Sequence, residues 1–90
     1  MTRFDRAQEI AKLALARASD IDRDRALPDE LVARIRQNGF FRLLVPARYG
    51  GDELPLPDYL PLIETIARGD ASTAWCVNQA AVYATMACRA

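Results

Sequence analysis

Trp75, Gln79 and Tyr83 follow one another at intervals of four residues, the spacing that stacks side chains on one face of an α-helix. Together they set two aromatic rings around an amide. The tryptophan N–H and the tyrosine O–H need partners when buried, so such a stripe suits a flat, polar ring system held at a cleft. Plain core packing satisfies the same spacing. The absence of histidine excludes a Ser-His-Asp triad, a Cys-His pair and any His-ligated zinc site. Cys76 and Cys88 lie about 18 Å apart if one helix carries both, at about 1.5 Å per residue, whereas a disulfide needs Cα atoms within about 7 Å. Both are expected as free thiols of a reducing, cytoplasmic compartment. No residue is assigned a catalytic role, and no metal site is expected.

The stripe needs a helix to carry it and a corner to aim it. Gly69 stops one helical pattern and Asp70 opens the next, its carboxylate placed to accept from the N–H of Ser72 or Thr73. This last helix has two unlike faces. Trp75, Gln79, Val82, Tyr83 and Met86 fall on one side, and Ala74, Val77, Ala80, Ala81, Ala84, Ala87 and Cys88 on the rest. The small side lets another backbone come close.

Three further helices are expected upstream, giving an all-α chain of four helices. The first runs from about Phe4 to Ser19, with Ala7, Ile10, Ala14 and neighbours at helical spacing, and "DIDRDR" follows as a solvated connection. Pro28 and Gly39 bracket a second helix with Leu31, Val32 and Ile35 inward. Phe40 to Val45 has no helical period and reads as a short strand or an extended crossing segment, followed by a tight turn at Gly50-Gly51. In the third helix, Pro61 lacks an N–H and is free of penalty only in the first turn. That places the N-cap at Asp58 or later, with Leu62, Ile63 and Ile66 facing the core.

Composition narrows the function classes. Twelve basic residues balance twelve acidic ones, so no net field draws the chain to nucleic acid or to an anionic membrane. Ala71 to Cys88 carries no charge but is alanine-rich and dotted with polar residues, and is expected as a buried helix and not a membrane span. At 90 residues the chain buries only about 60–65% of its unfolded surface, so its stability is marginal unless a partner helps. A last helix that is apolar all round, and that the chain leaves uncapped at Ala90, needs more layers than three short helices provide. The expectation is a piece of a larger protein, truncated within the fourth helix.

The stretches "GFFRLLVPARYGG" (residues 39–51) and "LPLIETIARGDASTAWC" (residues 60–76) resemble the N-terminal helical domain of the acyl-CoA dehydrogenase superfamily, which includes flavin-dependent monooxygenases. The resemblance implies that residues 1–90 are part of that domain, with the flavin-holding β-barrel and the C-terminal helical bundle absent. It implies FAD or FMN in the full-length enzyme, an acyl-CoA or similar substrate, a homo-oligomer, and N-terminal helices that wall the cleft. Trp75 would then contact the cofactor, and Gln79 and Tyr83 the substrate. The catalytic carboxylate of the dehydrogenases belongs to the missing bundle, and Glu64 does not inherit its role. In the monooxygenase branch a tryptophan at the place of Trp75 lies near the flavin ring, and a histidine eight residues later assists hydroxylation. Tyr83 stands in that histidine's place, which favours a dehydrogenase-like parent over a two-component aromatic monooxygenase. A freestanding helical interaction module is the alternative without catalysis. The 90-residue chain alone is expected to be inactive and to retain no flavin.

Overall fold

The computed structural model describes residues 1–89, with side chains placed through Ala87; the expectation for the Cys88 thiol lies outside the described residues. Five α-helices appear among them: α1 (Arg3–Ala16), α2 (Ala18–Asp24), α3 (Asp29–Gln37), α4 (Leu56–Gly69) and α5 (Ala71–Arg89). The all-α expectation holds, with one helix more than expected. The fourth helix of the sequence reading is α5.

Thr2 opens α1 with a capping box, its hydroxyl accepting from the Asp5 N–H while the Asp5 carboxylate accepts from the Thr2 N–H. Ala7, Ile10 and Ala14 are buried, whereas Phe4 and Leu15 lie exposed. The charged segment after Ala18 is not a loose connection. It forms α2, which breaks from α1 at Arg17. Buried Ile21 anchors it, and Asp20 accepts ion pairs from both Arg17 and Arg23. In α3, Leu31 and Ile35 reach the core as expected, and Pro28 caps the helix from outside instead of occupying its first turn. Arg34–Glu9 ties α3 to α1, and Arg17–Glu30 at 2.7 Å ties it to the break between α1 and α2; such exposed pairs contribute little each.

No strand forms between Phe40 and Gly51. Two 3-10 turns, Phe40–Arg42 and Ala47–Tyr49, take its place. Phe40, Leu43 and Val45 are the buried residues there, and a 40/43 interval matches the period of three of a 3-10 turn. Residues 52–54 then fold back, with their N–H groups donating to the carbonyls of Arg42, Val45 and Leu43. Gly50 takes φ +85, as the tight turn requires. Gly51 serves a close approach, since a Cβ there would sit 2.2 Å from the Val45 carbonyl oxygen.

The start of α4 corrects the proline argument. Its N-cap is Pro55, Asp58 lies in the first turn, and Pro61 falls inside the helix. The reason is Tyr59, buried in the core from that early turn. Burying an aromatic of about 150–250 Å² at about 25 cal/mol per Å² supplies roughly 4–6 kcal/mol. An interior proline costs about 3 kcal/mol, and less where, as at Pro57 and Pro61, the affected turn faces water. Leu62, Ile63 and Ile66 pack inward as expected. Gly69 ends α4 on the backbone of α1, where a Cβ would lie 2.3 Å from the Ala11 carbonyl oxygen. No described helix is long and apolar enough to cross a membrane.

Candidate functional site

Asp70 is extended (φ −161, ψ 119) and turns the chain from α4 into α5. Its Oδ2 accepts from the Thr73 N–H and from the Thr73 hydroxyl, each at 2.8 Å. Thr73 is fully buried, so the cap is also the joint that seats α5 on the domain. Of the two candidate donors, Thr73 and not Ser72 is the one used.

From that joint, the two faces of α5 part cleanly. Ala74, Val77 and Ala81 are buried against the rest of the domain. The opposite face is uncovered: Trp75 is 64% exposed, Tyr83 63%, Met86 58% and Val82 39%, with Gln79 half-buried among them. Trp75 is therefore not a core residue of this chain, and the expectation of a helix buried all round does not hold. The structure brings Trp75, Gln79 and Tyr83 together along one outward ridge spanning about 12 Å, at about 1.5 Å per residue. Among the described residues none of the three makes a side-chain hydrogen bond.

One residue of this region escaped the sequence reading. The buried Tyr59 hydroxyl of α4 donates to Oδ1 of Asn78 at 2.8 Å. Burial pushes the Tyr59 phenol up to about 12, so it stays a donor at any physiological pH. Asn78 sits at the border between the packed and the open face, one turn from both Trp75 and Val82. Its sequence signal was faint: an amide three residues after the tryptophan, with its partner nineteen residues away.

The other candidates are bland. Glu64 is exposed and pairs with Arg68 at 3.5 Å. Cys76 is free and exposed, and lines an open cleft of about 420 Å³ together with Ile21, Asp22, Arg25, Ala26, Leu27 and Ser72.

Residues 4–89 match the family model of the acyl-CoA dehydrogenase N-terminal domain. The chain belongs to that family. As an acyl-CoA dehydrogenase N-terminal domain it is similar to an indole-3-acetate monooxygenase of Acinetobacter baumannii, 32% identical over 76% of this chain and 17% of the relative. It is also similar to the oxygenase component of p-hydroxyphenylacetate 3-hydroxylase of Acinetobacter baumannii, 33% identical over 80% of this chain and 17% of the relative. A 3-(aryl)acrylate reductase of Clostridium sporogenes is 35% identical over 57% of this chain and 14% of its own length. The chain thus spans about a sixth of the length of these relatives. Enzymes of the acyl-CoA dehydrogenase family are flavin-dependent. The open face of α5 presents two exposed aromatic side chains and a half-buried amide.

Proposed function

We propose that this domain forms the N-terminal wall of the flavin and substrate cleft of a flavin-dependent oxidoreductase that acts on a planar aromatic acid. The observation that carries the reading is the uncovered Trp75–Gln79–Tyr83 ridge of α5. The aromatic surface of this free helix face is poorly matched to water, and with the amide between its rings the face suits a flat, polar ligand. Trp75 offers its indole face to a ring system, Gln79 a donor and an acceptor between the rings, and Tyr83 a hydroxyl at the far end. The flavin, when bound, supplies the redox chemistry; the residues of this chain bind and orient. The barrel and bundle that complete the site lie outside residues 1–90 in this reading.

Aromatic acids move ahead of acyl-CoA thioesters because the names of the relatives include indole-3-acetate, p-hydroxyphenylacetate and arylacrylate. Acyl-CoA oxidation remains the second reading, favoured by Tyr83 standing where the hydroxylating branch has a histidine. The test uses the complete gene product, FMN and p-hydroxyphenylacetate. Trp75→Ala should leave the melting curve nearly unchanged while weakening binding of one or both ligands. Unchanged affinity for both would sink the reading, and a freestanding interaction module would become the better account. Tyr83→Phe separates the chemistries: a large loss of oxygen-dependent hydroxylation with flavin binding intact assigns the hydroxyl to that reaction, and near-normal dehydrogenation with an acyl-CoA supports the second reading.

A further inference from the structure

We propose that Asn78 is a ligand-contacting hydrogen-bond donor of the α5 face, and that Tyr59 behind it is the residue that positions it. The inference rests on the reading of that face as a cleft wall and adds a residue to it. A side-chain amide has one acceptor end and one donor end, and free rotation makes them interchangeable. Here the two ends differ. The buried Tyr59 hydroxyl donates to Oδ1 at 2.8 Å and has no other acceptor among the described residues, so turning the amide over would orphan a buried O–H; Oδ1 is thereby kept on the Tyr59 side and the Nδ2 hydrogens are left without a role in that contact. Among the described residues Nδ2 has no protein partner, and it is not sealed from solvent, since the one orphaned buried amide nitrogen belongs to Asn38.

Asn78 follows Trp75 by three residues and precedes Val82 by four, so its amide borders the open ridge on the α4 side. A hydrogen bond accepted at Oδ1 polarises the amide and strengthens its N–H groups as donors. The ligand chemistry this selects is an acceptor oxygen carried by a flat ring system resting on Trp75. A ring carbonyl of a flavin and the carboxylate of an aromatic acid both meet that description.

Asn78→Asp separates the two halves of the proposal. The carboxylate keeps an acceptor for the Tyr59 hydroxyl but replaces the outward donor with a second acceptor. In the complete gene product, FMN and p-hydroxyphenylacetate are titrated separately, with Trp75→Ala as the control for the face. Asn78→Asp should melt within about 2 °C of wild type yet bind one of the two probes about fivefold more weakly or worse. The probe affected identifies the source of the oxygen. Tyr59→Phe should lower the melting temperature, and its loss of affinity should be smaller than that of Asn78→Asp. Wild-type affinity of Asn78→Asp for both probes, with Trp75→Ala still impaired, overturns the proposal and leaves the cleft wall standing. A melting temperature as low as that of Tyr59→Phe also overturns it, because Asn78 would then be only a strut between helices. If Trp75→Ala binds both probes normally, the cleft wall falls and Asn78 falls with it.

Discussion

Asp70 does two jobs with a single oxygen, capping the first turn of α5 and holding the buried hydroxyl of Thr73. Asp70→Ala removes the cap and leaves that hydroxyl without its acceptor, so the loss should exceed the usual cap value of about 1 kcal/mol. Asp70→Asn keeps an oxygen in place and should cost less; denaturant melts of both variants compare the two. Equal losses would mean that the charge matters more than the acceptor. Tyr59 gives a pH test. Its phenol is raised to about 12 from 10.0 because burial disfavours the anion. An unfolded chain releases that proton at lower pH than the folded one, so the contribution is complete below about pH 10 and is lost as pH rises towards 12. Thermal melts at pH 9 and pH 11 should therefore differ more for wild type than for Tyr59→Phe. At this scale the sequence made the stripe and the cap legible, because both are local spacings. Asn78 was not legible, since its meaning comes from a tyrosine about three helix turns before the corner, in another element.

At the scale of elements, the packing of α4 on α1 depends on a missing side chain. Gly69 is a stop signal in the sequence, but the stronger constraint is the Ala11 backbone lying where a Cβ would be. Gly69→Ala raises helix propensity by about 0.8–1.0 kcal/mol and should nevertheless destabilise the domain, by about 1–3 kcal/mol, because backbone must shift to admit the methyl group. A raised melting temperature for Gly69→Ala would show that α1 moves aside freely. The same contest between local preference and tertiary contact explains the other departures. In α2, seven residues with a single buried apolar side chain give almost no periodic signal; Ile21 and the ion pairs around Asp20 hold it. Pro61 argued for a later helix start, and burial of Tyr59 won. Phe40 to Val45 lacked a helical period and also lacked strand partners, so its apolar residues reached the core through 3-10 turns.

The whole molecule measures 38 × 27 × 19 Å, and its thinnest dimension holds only two layers of helices about 10 Å across. A two-layer slab can cover one face of α5 and no more. The covered face is the small one, since Ala74, Val77 and Ala81 let the neighbouring elements approach. Helical periodicity had separated the two faces without revealing which would be inside; the number of layers decides that. Trp75, Val82, Tyr83 and Met86 therefore meet water along most of α5, and contiguous apolar surface beyond a few hundred Å² normally marks an interface. The 90-residue chain should accordingly self-associate with rising concentration, and it should do so through this face. Sedimentation velocity on wild type and on a Trp75→Ser/Met86→Ser double variant tests both parts. The variant should stay monomeric where wild type sediments faster, with little change in melting temperature, because the substituted side chains touch water and not the core. A compact wild-type monomer at high concentration would mean that this face tolerates exposure, and it would weaken the case that the face was built to lie against a cofactor or a neighbouring domain.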